Sequence, residues 1–308
     1  MVWVLQDNGM EYYSLNQYLK DTFGEKVYKI ALDAGFTCPN RDGTLGTEGC
    51  IFCSGAGSGD FAENRSQSIT EQIARGRTRV EKKIRNGKYI AYFQAFTNTY
   101  APVEQLRKVY EEALSQPDVV ALSVATRPDC LPEDVINLLG ELNRIKPVWV
   151  ELGLQTIHEK TASYIRRGYP LSVYDDAVNR LKKAGLTVIT HIILGLPGES
   201  EEEMKQTVSY VGAGGADGIK LQLLHVIRGT GLEKEYLAGK FKTLEFDEYV
   251  TLVADCLELL PKDMVIHRMT GDGDKRTLVA PLWSADKKRV LNALTEEIRR
   301  RGQPPVSL

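Results

Sequence analysis

The chain has 308 residues, 43% of them hydrophobic and 26% charged, with 39 basic against 41 acidic side chains and a net charge of −2. This balance excludes disordered, collagenous and coiled-coil proteins, and it excludes strong global attraction to nucleic acid while leaving room for a local basic patch. No apolar run is long enough to cross a bilayer, and the opening MVWVLQDNGMEYY lacks the basic and apolar regions of a signal peptide; the expected location is cytoplasmic.

Short β-branched runs alternate with amphipathic stretches. Strands are expected at 27–35, 88–96, 118–126, 147–155, 186–194 and 217–226, apolar enough to be covered on both faces. A helix is expected from Pro102, with Val103, Leu106, Tyr110 and Ala113 on one side, and another from Pro132, carrying Val135, Leu138, Leu139 and Leu142. A third spans about 172–184, with Ser172 as N-cap and Gly185 past its end, and a fourth starts at a capping box, Ser200 with Glu203. Six strand–helix units make a parallel α/β sheet, either an open partial barrel or a doubly wound sheet, with ligands at the C-terminal strand ends. The repeat breaks after about 235, so the chain divides into an N-terminal extension (1–26), a core (27–235) and a small α+β extension (236–308).

Five cysteines are too few, and odd in number, for a disulfide framework, and a reducing compartment fits them better. Three of them, Cys38, Cys50 and Cys53, follow the first strand with C-x11-C-x2-C spacing in a loop holding Gly43, Gly46 and Gly49. Three readings compete: a structural zinc site, which wants a fourth ligand that is not nearby; coincidental buried thiols; and a [4Fe–4S] cluster with one open iron. The cluster accounts best for three thiolates on a glycine loop at the ligand-binding end of such a sheet.

At this point the chain resembles the radical S-adenosylmethionine (SAM) superfamily, and within it the YhcC/YtqA-like group, which is related to the radical domain of the elongator catalytic subunit. The motifs that carry the resemblance are CPNRDGTLGTEGCIFC, ATRPDCL (125–131), VELGLQT (150–156), HIILGLPGE (191–199), VIRGTGL (226–232) and HRMTGDGDKRTLVAPLWSADK (267–287). The resemblance implies a partial (β/α)6 barrel, a [4Fe–4S] cluster on Cys38, Cys50 and Cys53, and SAM on the open iron, cleaved to a 5′-deoxyadenosyl radical. It implies Gln155 and Arg167 as SAM contacts, Arg167 toward the carboxylate, with Gly195 allowing the backbone to approach adenine. His191 stands where relatives place a ribose-contacting acid, with an ordinary core histidine as the alternative.

The chain departs from the family pattern twice. The glycine-glycine-glutamate segment expected after the second strand is replaced by residues 93–99, where Gln94 and Asn98 are candidates for the same contact and strand-end capping is the alternative. Ala125 stands where elongator-type relatives carry Glu, leaving Ser123 or Arg127 to substitute. On the sixth strand Lys220, Gln222 and His225 are read as a polar face inside an apolar sheet, hence as the substrate and catalytic residues.

Seven basic residues (Arg75, Arg77, Arg79, Lys82, Lys83, Arg85, Lys88) face one acid, Glu81, between positions 75 and 88, and the tail repeats the bias at Lys287–Arg289 and Arg299–Arg301. These are either solvated helix faces or phosphate contacts. The resemblance favours RNA and implies tRNA as partner, conversion of a wobble-uridine carboxymethylaminomethyl group to aminomethyl, and an electron donor such as flavodoxin or ferredoxin. A radical enzyme acting on a small metabolite and a zinc-stabilised, non-catalytic RNA-binding protein are the rivals.

Overall fold

The structure, a computed structural model, describes residues 12–80, 87–271 and 273–302. The chain runs β1 (Tyr13–Ser14), α1 (Leu15–Phe23), β2 (Val27–Leu32), α2 (Ile69–Val80), β3 (Lys88–Phe93), α3 (Val103–Leu114), β4 (Val119–Thr126), α4 (Glu133–Asn143), β5 (Val148–Gln155), α5 (Glu159–Tyr164), α6 (Leu171–Lys183), β6 (Thr187–Leu194) and α7 (Glu201–Ala213). It continues through β7 (Gly218–Leu223), β8 (Val226–Ile227), α8 (Gly231–Leu237), α9 (Phe246–Glu258), β9 (Val265–Arg268), β10 (Leu278–Ala280) and α10 (Lys287–Gly302).

The six expected strands are β2 to β7, and they lie side by side in chain order, all parallel. The unbroken order makes the sheet singly wound, an open half-barrel, and removes the doubly wound alternative. Two more strands extend it: β9 pairs parallel with β7, and β1 pairs parallel with β9, giving eight strands in the order β1-β9-β7-β6-β5-β4-β3-β2. Both are too short, at two and four residues, to register as periodic runs. Thus the segment after 235 contributes a strand to the main sheet as well as α8 to α10.

The strands are apolar on both faces for two reasons. Val148, Val150, Leu152 and Leu154 of β5 join the large outer core, packed with Leu106 and Tyr110 of α3 and Leu138, Leu139 and Leu142 of α4. The alternate inner positions Ile90, Ala121, Trp149 and Ile189, with Val27 and Leu19, plug the N-terminal end of the half-barrel. The next inner positions along the same strands are polar, and there the site begins.

The Ser200–Glu203 capping box forms as read: Ser200 Oγ accepts from Glu203 N at 3.3 Å and Glu203 Oε2 accepts from Ser200 N at 2.7 Å. Three helix starts shift by a residue or two. Pro102 and Pro132 are caps rather than first helical residues, and Pro170, not Ser172, caps α6. Proline's extended ψ suits a cap as well as its φ suits the first turn.

Candidate active site

A cavity of about 260 Å³ opens at the C-terminal ends of the strands, and Cys38, Cys50 and Cys53 all line it. The loop that carries them is tied down locally. Gly49 N donates to Asn40 O at 2.7 Å, and Asn40 Nδ2 donates to Arg166 O at 2.8 Å and approaches Cys50 Sγ at 3.4 Å. Arg41 Nη2 donates to Cys53 O and Ser54 O at 3.2 and 2.7 Å. Gly49 has φ +77°, and a Cβ there would lie 2.9 Å from the Arg41 guanidinium, so this turn requires glycine.

Burial, reinforced by the neighbouring thiols, pushes the Cys50 thiol up to about 12 and raises Cys53 as well. Thiolates crowded in this way need a positive partner. Among the described residues no three His, Cys, Asp or Glu side chains converge as a single-ion site. The three thiols instead line one cavity from a single loop, an arrangement that suits a multi-atom cluster. The residues present fit a three-cysteine [4Fe–4S] cluster.

Gln155 ends β5 beside the cluster loop at φ +70°, where the register between β5 and β6 slips. A non-glycine residue held in this region is strained by about 1 kcal/mol or more and commonly marks a function. Its side chain lines the cavity with its amide oxygen buried and without a partner among the described residues. That oxygen is placed to accept a hydrogen bond from a bound cofactor. The strained turn is gripped by Arg167, 2% exposed, which donates from Nη1 to Thr156 O at 2.5 Å and Leu154 O at 3.4 Å, from Nε to Tyr169 O at 3.0 Å, and from Nη2 to Glu159 Oε1 at 3.1 Å. The second Nη2 hydrogen has no hydrogen-bond partner among the described residues, and Arg167 lines the cavity.

Of the other expected contacts, Gln94 and Arg127 line the cavity and are also engaged with protein: Gln94 Nε2 donates to Ser58 O at 2.8 Å, and Arg127 forks onto Asp129 at 2.9 and 2.7 Å. Three further candidates, Asn98, Ser123 and Gly195, do not line this cavity. Asn98 is fully buried and donates to Phe93 O and Ala125 O, lacing the ends of β3 and β4. Ser123 gives its hydroxyl to Glu151 Oε1 at 2.7 Å. A Cβ at Gly195, φ +89°, would lie 3.1 Å from Leu244, so its glycine serves loop packing.

Deeper in, the cavity is lined by Tyr92, Glu151, His191, Lys220 and Gln222. Glu151, 1% exposed, accepts from Lys29 and Ser123 on Oε1 at 2.7 Å each, and from His191 Nε2 at 2.7 Å and Lys220 on Oε2. Despite burial, the lysines and His191 hold its carboxyl well below the usual range. Burial and the surrounding cations bring Lys220 down to about 7 and His191 down to about 4. His191 therefore serves as a neutral donor to Glu151. His225 lies beyond the end of β7, so strand alternation does not place it; it reaches the cavity by packing on Gly271 and Gly273, where a Cβ would approach its ring to 2.5 and 2.6 Å. Lys29, Tyr92, Arg41 and Arg268 were not picked out from sequence. Lys29 alone left a signal, a lysine at an inward position of an apolar strand.

A half-barrel with three thiols at its mouth and a polar interior defines the class, and the family comparisons agree. Residues 40–211 match the radical SAM superfamily and residues 216–300 match the radical SAM C-terminal domain. The chain belongs to the radical SAM superfamily, whose members bind a [4Fe–4S] cluster and SAM. Similar proteins include YtqA of Bacillus subtilis, 50% identical over 94% of this chain and 90% of that one, and YhcC of Escherichia coli K12, 41% identical over 86% and 85%. A tRNA uridine(34) acetyltransferase of Methanocaldococcus infernus is 30% identical over 55% of this chain and 32% of its own length. Among solved structures, the Methanocaldococcus infernus Elp3 with an N-terminal deletion shares the fold, with TM-score 0.66 and 20% identity over 88% of this chain and 63% of that one.

Proposed function

We propose that this radical SAM enzyme acts on wobble uridine in tRNA, converting a C5 carboxymethylaminomethyl group to aminomethyl. The observation that carries the reading is the continuity of one cavity from the cysteine loop, through Gln155 and Arg167, to the polar interior at Tyr92, Lys220, Gln222 and His225. A base inserted from the mouth reaches both ends. The cluster and SAM would supply, when bound, a carbon-centred radical that removes a hydrogen atom from the carboxymethyl carbon beside the amine; with one electron returned to the cluster and one water added, the C–N bond breaks to leave the amine and release the two-carbon unit as glyoxylate. Cys38, Cys50 and Cys53 hold the cluster, Gln155 and the free Nη2 hydrogen of Arg167 orient SAM, and Gln94 and Arg127 complete the rim. The electron is delivered by a flavodoxin- or ferredoxin-like donor.

The wobble base supports the reading because it is already single-stranded and cheap to extrude into a cavity. The partial similarity to a protein named as a tRNA uridine(34) acetyltransferase supports it further. The basic stretch supports it less than its charge suggests. Arg75 and Arg79 pair with Glu63, Arg77 with Asp118 and Lys88 with Glu25, while Lys82, Lys83 and Arg85 lie outside the described residues. Nucleoside mass spectrometry of tRNA from a strain lacking the gene tests the proposal. Accumulated carboxymethylaminomethyluridine derivatives with loss of the aminomethyl series support it, and an unchanged wobble-uridine profile overturns it.

A further inference from the structure

Among the described residues, the polar layer inside the half-barrel sets two lysines against one acid, Glu151. Lys29 and Lys220 both pair with Glu151, which also accepts from Ser123 and His191, so its two oxygens are saturated by four donors. His191 and His267 are kept uncharged by burial and the nearby cations. Among the described residues two ammonium groups thus share one carboxylate, in a layer where Glu151 and Lys220 are 1% and 3% exposed. The face of Tyr92 lies 4.8 Å from Lys29 Nζ and 4.7 Å from Lys220 Nζ; it eases the crowding but carries no net charge. A buried charge without a partner is expensive, and a site that keeps one is poised for an anion.

We propose that this layer is the receptor for a carboxylate of the substrate, which docks against the Lys220 ammonium and the Tyr92 hydroxyl at the cavity floor, while Lys29 and Glu151 hold Lys220 in place. Two ammonium groups on one carboxylate suit a further monoanion such as a carboxylate. The identity of the group bearing the carboxylate rests on the proposed function, but the charge argument does not. The carboxylate of SAM is a second source of the same chemistry, and the experiment separates the two.

The test is equilibrium binding to the anaerobically reconstituted holoprotein at pH 6.5 with saturating SAM. The probes are 5-carboxymethyluridine against its neutral isostere 5-carbamoylmethyluridine, and phenylacetate against phenylacetamide. Each acid is expected to bind at least tenfold tighter than its amide in the wild type and in Lys220→Arg, and within twofold of its amide in Lys220→Met, with SAM affinity unchanged. Preference for phenylacetate with no binding of either nucleoside upholds the carboxylate site while counting against uridine. Equal binding of acid and amide in both pairs to the wild type overturns the inference, even if Lys220→Met fails to fold. Weakened SAM binding in Lys220→Met with the acid preference intact also overturns it, by giving this layer to the cofactor.

Discussion

Lys220 Nζ on β7 lies 3.2 Å from the Tyr92 hydroxyl on β3, although three strands separate them. Four strand spacings in a flat sheet would be about 19 Å. The contact exists because the sheet curls, and the same curl brings Lys29 of β2 onto Glu151 of β5 at 2.7 Å. The inner polar layer is thus both a product of the half-barrel and a tie across it.

Glu151→Gln leaves the buried Lys220 ammonium and the half-buried Lys29 ammonium facing a neutral amide. We expect a loss of about 3–5 kcal/mol, the cost of breaking a buried ion pair from one side. Urea denaturation measures it, and Glu151→Gln combined with Lys220→Met is expected to lose less than the sum of the two single changes. Additive losses would remove the coupling between these residues.

The lowered ionisation of Lys220, at about 7 against 10.5 for a free lysine, gives a pH dependence with a definite sign. Between those values the unfolded chain binds the extra proton, so this group's contribution to stability rises with pH across the window and is lost as pH falls through about 7. Carboxylate affinity runs the other way, falling as pH rises above about 7. The charged and titratable groups around Lys220 are Lys29, Tyr92, Glu151, His191, His267 and Arg268. Denaturation and probe titrations from pH 6 to 9.5, in wild type and Lys220→Met, should show both slopes only in the wild type.

The thiols divide by place. Cys38→Ala, Cys50→Ala and Cys53→Ala should each lose the iron and sulfide of the anaerobically reconstituted protein, because all three line the cavity mouth. Cys130 and Cys256, buried in the packing of the fold, can be replaced by Ala with the cluster retained. Iron and sulfide analysis reads the result directly.

Gln155→Ala keeps the left-handed backbone but removes the orphaned amide oxygen. SAM affinity should fall by a few-fold to about tenfold, the worth of one hydrogen bond. An unchanged SAM dissociation constant would take Gln155 out of the cofactor site.

The strands of the half-barrel were legible because their outer faces meet helices and their inner faces fill a core, which makes them nearly continuous apolar runs. The cysteine spacing was legible because cluster ligation concentrates three thiols on one glycine-rich loop. Strands β1 and β9 were not, since two and four residues hold no period and their place depends on pairing with distant chain. Side chains at strand ends were harder still. Asn98, Ser123 and Gly195 have the right chemistry for a ligand, but their protein neighbours Ala125, Glu151 and Leu244 come from other segments of the chain, which no local pattern shows. The partners of the charge run from 75 to 88, namely Glu63, Asp118 and Glu25, were not legible because they lie on other segments of the chain.

The most direct test of the central claim is nucleoside mass spectrometry after incubating the anaerobically reconstituted protein with SAM, a strong reductant and tRNA bearing 5-carboxymethylaminomethyluridine at the wobble position. The account predicts 5-aminomethyluridine formed together with 5′-deoxyadenosine, and neither with Cys50→Ala. SAM cleavage with the wobble nucleoside left intact would contradict it.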